Sequence, residues 1–334
     1  MGIADMNMGL ILRKLFSAYV SDDPSEFLKI GEEIIEEEER KNNKSLARDL
    51  REILYNRHIR YYDKNCRKTL EIPCNKKHGI PLIEPKIFQR NWSDISIDED
   101  NKRRLEKIIH ENITKSILKT YGLNPSQKVL LCGPAGCGKM LAAEVLSSLL
   151  IYPMAYIRLD GLISSNVDEI SLNLRKIFDF ISKGEWLVFF ESFDIFGKRP
   201  YNLINNRSTF ELTSILLQLL DNYEGDSLII AAAEYPELLD ESLRQKFDEI
   251  IFFDLPDSRN LKEILKKQLR SFKTKNIDYD KLVIQADRLP PEDIEIICIK
   301  AIKDAIFARR DYVDHADLEF SIERHKERLK RFNE

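Results

Sequence analysis

Hydrophobic residues change their spacing twice along the chain, which divides it into three parts. Between residues 5 and 58, apolar residues recur at the spacing of helices and predict a small helical module. Between about 100 and 255, short apolar runs rich in β-branched and aromatic residues alternate with amphipathic stretches. From Ser258 onward the spacing is helical again and predicts a lid made of helices only.

The central alternation predicts strands and helices in turn. The predicted strands are the runs KVLLC, MAYIRL, WLVFF, SLIIAAA and IIFFDL. Helices are predicted over 100–120, 138–150, 168–183, 208–222 and 238–246. Hydrophobic strands separated by helices are typical of a parallel sheet covered on both faces. The sequence therefore predicts an α/β fold with a parallel, doubly wound sheet.

Four consecutive domains are predicted. They are a helical N-terminal module over 1–62, a basic, proline-containing linker over 63–92, an α/β domain over 93–257 and the helical lid over 258–334. Residues 40–90 hold fourteen Lys and Arg against five Asp and Glu, with Tyr55, Tyr61 and Tyr62 among them. Such a segment can stack bases and neutralise phosphates, or it can be a linker that lies on an acidic neighbour. We favour the linker.

Composition narrows the class of protein. The 334 residues carry a formal net charge of −4, which excludes a globally basic nucleic-acid binder. No apolar run approaches the roughly 18 residues of a membrane span, and the N-terminus lacks the leading positive charge of a secretory signal. The five cysteines show no metal-ligand spacing, which favours reduced thiols. We expect a cytoplasmic protein without a membrane contact.

The most specific motif follows the strand KVLLC and opens a predicted helix. It fits the pattern G-x-x-x-x-G-K and consists of Gly133, Pro134, Ala135, Gly136, Cys137, Gly138, Lys139 and Met140. In a P-loop NTPase, the backbone N–H groups of such a loop, the helix N-terminus and the lysine surround nucleotide phosphates. The motif therefore predicts an ATP or ADP site. Met140 stands where Ser or Thr would ligate Mg²⁺, which predicts a weakened metal site.

The order and spacing of the segments resemble an AAA-type (AAA+) ATPase, and most closely the small single-module bacterial AAA proteins with an N-terminal helical domain. The matching segments are the helical start Asp22 to Leu50, Asn91 to Ile95 at the nucleotide base, Asp160 to Ile163 before the pore loop, the second nucleotide motif Leu187 to Asp194, the sensor segment Ala231 to Asp240, and Phe247-Asp248. The resemblance implies a ring that couples ATP hydrolysis to moving a protein client. The partners in such a ring would be the chain itself or an active relative. Genes of this type often lie beside one for a subtilisin-like protease, so the resemblance also implies such a protease as a partner.

Residue by residue, the chain departs from the working groups that the resemblance implies. Glu191-Ser192 replaces the Asp-Glu pair that holds Mg²⁺ and polarises the attacking water, and Glu234 replaces the sensor Asn. Arg244 matches one arginine finger, but Lys246 occupies the place of the second. The six departures are Met140, Asn166, Glu191, Ser192, Glu234 and Lys246. The lid helix begins as Leu289 to Asp293, without a sensor arginine.

Three interpretations follow. The favoured one is a pseudo-ATPase, a regulatory or structural ring subunit with weak or no hydrolysis. In the second, an active remodeller uses Glu234 as the base and Glu191 on the metal. For every interpretation, the resemblance implies Arg244 as the surviving finger and Ile95 at the nucleotide base. The third is a nucleotide-switched nucleic-acid binder that uses the basic 40–90 segment.

Overall fold

A computed structural model describes residues 30, 33–34, 60–63, 68–75, 79–162, 167–197 and 206–333. The chain divides into two compact units, Met1–Pro81 and Leu82–Glu334, and each is described by itself. Within the described ranges, no helix is long and apolar enough to cross a membrane.

The first unit contains a two-stranded antiparallel ladder. Strand β1 (Arg60–Asp63) pairs with β2 (Lys68–Glu71), with Arg60 opposite Glu71. The helical module predicted over 1–62 is therefore wrong at its end, because aromatic residues such as Tyr61 and Tyr62 favour paired strands. Most of that module lies outside the described residues, although Ile30, Glu33 and Ile34 are helical.

The second unit is built on a six-stranded sheet. Its strands are β3 (Ile83–Lys86), β4 (Lys128–Cys132), β5 (Met154–Ile157), β6 (Leu187–Phe190), β7 (Leu228–Ala233) and β8 (Glu249–Phe252). They lie in the order β3-β5-β6-β7-β4-β8, and all neighbours are parallel except β3 and β5. The predicted α/β fold with a mostly parallel sheet is confirmed.

Strand β3 corrects the predicted linker over 63–92. Ile83 is fully buried and pairs with Ile157, so this part of the segment belongs to the sheet. The prolines of this segment, among them Pro81 and Pro85, favoured an extended linker. A proline is nevertheless tolerated in an edge strand, because an N–H on the outer side needs no partner in the sheet.

Helices cover the sheet on both faces. They are α1 (Glu99–Ile113), α2 (Lys115–Thr120), α3 (Lys139–Leu150), α4 (Leu159–Leu162), α5 (Val167–Ile181), α6 (Asn206–Asp221) and α7 (Glu241–Arg244). On one face, Val145 and Leu146 of α3 pack with Leu131 and Ile230 of the sheet. The predicted helix over 100–120 is in fact two helices, because α1 ends at Ile113 and α2 starts at Lys115.

The lid follows β8 and has its own hydrophobic core. Its helices are α8 (Ser258–Gln268), α9 (Tyr279–Gln285), α10 (Pro291–Phe307) and α11 (His315–Asn333). The prediction of helices only is wrong, because β9 (Lys273–Lys275) and β10 (Tyr312–Asp314) form a short parallel pair. Each has three residues, too few to show an alternating pattern in the sequence.

Candidate functional site

The phosphate loop joins the buried strand β4 to helix α3. Its three glycines all have positive φ, at 137° for Gly133, 72° for Gly136 and 92° for Gly138. A Cβ atom on Gly133 would lie 2.1 Å from the carbonyl oxygen of Phe253, so only glycine fits there. The sequence therefore folds locally into a tight turn that leads into the N-terminus of α3, where backbone N–H groups are available for an anion.

Lys139 lies against this loop. Its ammonium donates hydrogen bonds to the carbonyl oxygens of Gly133, at 2.6 Å, and Pro134, at 2.9 Å. A lysine ammonium has three N–H donors, so one is left for a phosphate oxygen. The geometry therefore fits the phosphates of a nucleotide.

A cavity of about 510 Å³ opens at the loop and is shared by the α/β domain and the lid. Ile95 lines it and is buried, and its Cδ1 atom lies 3.8 Å from the position of a Cβ on Gly138. The turn before it is closed by the Asn91 N–H, which donates to the Asp94 carboxylate at 2.9 Å. The structure thus brings the predicted nucleotide-base residue Ile95 to the phosphate loop.

The lid contacts the loop directly. The first turn of α10 places the backbone N–H of Glu292 3.2 Å from the carbonyl oxygen of Gly136, and the Glu292 and Glu295 side chains line the cavity. Lys267 of α8 also lines it, and burial lowers the pKa of this lysine, with a further decrease from Arg90. Sequence reasoning missed Lys267, because the search for a lid cation was confined to the start of α10.

Glu191 follows β6 directly, and its carboxylate accepts a hydrogen bond from the Tyr156 hydroxyl. Burial and this bond raise the pKa of Tyr156 to about 12. Tyr156 belongs to β5 and stacks on Phe189, with ring centroids 6.1 Å apart. In the sheet, β5 lies on one side of β6, whereas the phosphate loop follows β4, two strands away on the other side. Glu191, the only predicted metal ligand, is therefore hydrogen-bonded to β5, on the side of β6 that is away from the loop.

The ends of β6 and β7 are joined by a different acid. Asp194 accepts a hydrogen bond at 3.1 Å from the backbone N–H of Glu234. Ser192, which lines the cavity, has a left-handed φ of 54°, a conformation that costs a non-glycine residue about 1 kcal/mol. The Glu234 side chain is exposed and lines the same cavity as Glu191. The structure therefore brings both candidate carboxylates to one cavity.

The two candidate finger residues, at the end of α7 and just after it, have different surroundings. Lys246 forms an ion pair with Asp221 at 2.8 Å, so it is held by its own chain. Arg244 is exposed at the end of α7 and is not among the residues that line the cavity. The next two residues are structural. Phe247 packs edge-to-face on Phe193 at 5.4 Å, and the Asp248 carboxylate accepts bonds from two backbone N–H groups at the start of β4, each at 2.8 Å.

Two remaining predictions concern the pore loop and the metal. Asn166 lies outside the described residues. Met140 lines the cavity, and its side chain also packs on the core beneath the loop. The described residues contain no group of three or more His, Cys, Asp or Glu side chains that could hold a metal ion.

Comparisons with known proteins bear on this site. The family model "ATPase family associated with various cellular activities (AAA)" matches residues 129–255, from β4 to just after β8. An AAA family ATPase of Sinorhizobium fredii, y4kL, is 31% identical over 316 residues, which cover 93% of both chains. A proteasome-activating nucleotidase of Pyrococcus abyssi is 30% identical over 211 residues, 60% of this chain and 52% of that protein. A putative cell division cycle ATPase of Plasmodium falciparum is 24% identical over 267 residues, 73% of this chain and 22% of that protein.

The family model spans the β4 strand from Val129, the phosphate loop and the ends of β6 and β7. The resemblance to AAA-type ATPases is thereby confirmed, together with the nucleotide binding that the family implies. The chain belongs to the AAA family of ATPases.

Proposed function

We propose that this member of the AAA family binds ATP or ADP through a weakened Mg²⁺ site, hydrolyses ATP slowly or not at all, and acts as a regulatory or structural subunit. The observation that carries the proposal is the hydrogen bond from Tyr156 to Glu191. It engages the one carboxylate that stands at the family's metal position.

Nucleotide binding is supported by the loop itself. Lys139, the inward-turning glycines and Ile95 meet at one cavity of about 510 Å³, which is of the size of a ligand site. Mg²⁺, when bound with a nucleotide, would neutralise phosphate charge. Glu191 is the residue that would hold it, whereas the thioether of Met140 is a poor ligand for a hard cation. We therefore expect binding that depends little on Mg²⁺.

Weak hydrolysis is supported by the acids around the cavity. Ser192 cannot act as a general base, and losing such a base lowers a rate by about 10²–10⁴. Against the three cations Arg90, Lys139 and Lys267, six acids line the cavity, among them Glu191, Glu234, Glu292 and Glu295. Their negative charge opposes a further phosphate, so we expect ADP to bind more tightly than ATP.

The proposed partners are supported by the resemblance to the family and by the exposure of Arg244. An exposed arginine at the end of α7 is available to a neighbouring subunit, whereas Lys246 is engaged by Asp221. A ring with a second copy or with an active AAA relative fits this arrangement. A subtilisin-like protease, which the sequence resemblance implies, remains a candidate partner in the cytoplasm.

One observation favours the alternative of an active remodeller. Glu234 is exposed in the same cavity as Glu191, so a carboxylate is available near the loop as a base. In that case Glu191 would have to leave Tyr156 to hold the metal. The two candidates differ in turnover.

Calorimetric titration with ADP and ATP, each with and without Mg²⁺, tests the proposal beside a steady-state ATPase assay. Lys139→Ala serves as the control, because it removes the ammonium and keeps the glycines that turn the loop. We expect binding that Mg²⁺ changes less than about threefold, no turnover above the control, and binding weakened about 10- to 100-fold in the variant. Turnover that disappears in Lys139→Ala would instead rule out the pseudo-ATPase.

A further inference from the structure

The lid contains a second cavity, of about 560 Å³, which shares no lining residue with the nucleotide cavity. It lies between the C-terminal halves of α10 and α11. Five cations line it: Lys300, Lys303, Arg324, Arg328 and Arg331. Only Asp304 and Glu327 oppose them, so the cavity carries an excess of three positive charges in a chain whose net charge is −4.

Within the described part of the chain, none of these five cations is in an ion pair within 4.0 Å. Some other cations of the lid are paired. Arg310, for example, donates to the Asp317 carboxylate at 2.7 Å, and Lys262 to Asp280 at 2.6 Å. Among the other described lid residues, Arg259, Arg270 and Lys330 are likewise in no ion pair within 4.0 Å, so the distinguishing feature of this cavity is that five cations share it.

Mutual repulsion is visible at the centre of the cluster. Burial lowers the pKa of Lys300, and the nearby charges of Arg328 and Arg324 lower it further, although Asp293 and Asp304 act in the opposite direction. Basic residues in the last turn of a helix interact favourably with the helix dipole, which accounts for Arg331. That explanation fails for Lys300 and Arg324, which lie in the middle of their helices. An unpaired cluster of this kind becomes favourable when an anion binds.

The chemistry of the lining selects among anions. Phe307 lines the cavity and is 82% exposed, so it offers an apolar anchor at its edge. Arginine guanidinium groups match carboxylates with two parallel hydrogen bonds. Asp304 and Glu327 disfavour a continuous row of phosphates, as in a nucleic acid, but leave room for separate carboxylates with an apolar side chain between them.

We propose that the cavity between α10 and α11 binds an acidic peptide segment of a partner protein, with an apolar side chain of that segment packed on Phe307. The stretch from Lys300 to Phe307 is about 10 Å long at 1.5 Å per residue, the length of about three residues of extended peptide. The proposal goes beyond the proposed function and does not depend on nucleotide hydrolysis.

The test uses fluorescence anisotropy with the whole chain and a fluorescein-labelled peptide of sequence EELFEELFEELF. A second peptide, with every Glu changed to Gln, keeps the length and the apolar residues. The cavity variant is Arg324→Glu with Arg328→Glu. The matched control is Arg259→Glu with Arg270→Glu, which reverses the same two charges at exposed positions of the lid outside the cavity.

We expect the acidic peptide to bind with an affinity that decreases as the salt concentration increases. The cavity variant should bind this peptide at least tenfold more weakly. The control variant and ADP binding should remain unchanged in the same preparations, which also shows that the variant is folded. Phe307→Ala should weaken binding about three- to tenfold. ADP binding is read separately, so failure here leaves the proposed function standing, and the reverse also holds.

Three results would overturn the proposal. The first is equal peptide binding by the cavity variant and the unchanged chain. The second is tighter binding of a twelve-nucleotide single-stranded DNA than of the acidic peptide. The third is the absence of peptide binding in a chain that self-associates in sedimentation, when the cavity variant no longer self-associates. A second copy of the chain would then be the occupant.

Discussion

The phosphate loop and the strand ends beside it differ in how their side chains are used. At the loop, the glycines and Lys139 have the geometry that nucleotide phosphates require. At the ends of β6 and β7, two of the acids are engaged within the protein, Glu191 by Tyr156 and Asp194 by the backbone of Glu234. The difference teaches that a fold can keep the backbone of a binding site while side chains at the adjacent catalytic edge take up structural contacts.

The strongest way to break this comparison is to restore the catalytic edge. We expect the combination Met140→Thr, Glu191→Asp, Ser192→Glu and Glu234→Asn to raise ATP turnover by about 10²–10⁴, because it supplies a metal ligand, a base and a neutral sensor together. A coupled ATPase assay measures the change. The same four substitutions with Lys139→Ala form the control. A variant that binds nucleotide but hydrolyses no faster would place the limitation outside this edge.

The loop side of the comparison can be tested through its tightest glycine. Gly133→Ala should destabilise the fold by about 3–5 kcal/mol, because its Cβ would lie 2.1 Å from the carbonyl oxygen of Phe253 at a φ of 137°. Gly122→Ala is the matched control. Its φ is 70° but nothing lies within 4 Å of the added Cβ, so only about 1 kcal/mol is expected. Thermal unfolding compares the two, and equal losses would contradict the steric account.

A smaller effect is expected when Glu191 is released. Tyr156→Phe removes the hydroxyl that holds the carboxylate and keeps the ring stacked on Phe189, so Mg²⁺ should strengthen ADP binding about three- to tenfold more than in the unchanged chain. Calorimetry with and without Mg²⁺ provides the measurement. Tyr152→Phe is the control, because the Tyr152 hydroxyl accepts a bond from Lys115 and does not line the nucleotide cavity. An identical Mg²⁺ effect in both variants would refute the role of Tyr156.

The smallest effect concerns pH. The pKa of Tyr156 is raised from 10.0 to about 12, so folding favours the protonated phenol. This contribution to stability is fully present below pH 10 and is lost as the pH rises from about 10 to 12. The difference in tyrosinate absorbance between the unchanged chain and Tyr156→Phe follows the titration. A phenol that ionises near pH 10 would show that the hydrogen bond to Glu191 is not formed in solution.

The sequence was informative where structure depends on neighbouring residues. The five parallel strands and the glycine loop were predicted from local patterns, and Ile95 from the resemblance to a family; the structure shows the strands and brings Ile95 to the loop. The edge strand β3 was missed, because Pro81 and Pro85 mask a strand whose burial comes from pairing with Met154–Ile157. Lys267 was missed because its place at the cavity depends on how α8 packs, which residue spacing does not encode.

The sequence by itself determined the class of fold and the phosphate loop. Hydrophobic periodicity and glycine geometry act over a few residues, and this local origin makes them legible in a single chain. Only the tertiary structure decided how the departing residues are used. Tyr156 and Glu191 are 35 residues apart, and Asp221 and Lys246 are 25 apart. Such pairs meet only because strands and helices that are distant in sequence pack side by side.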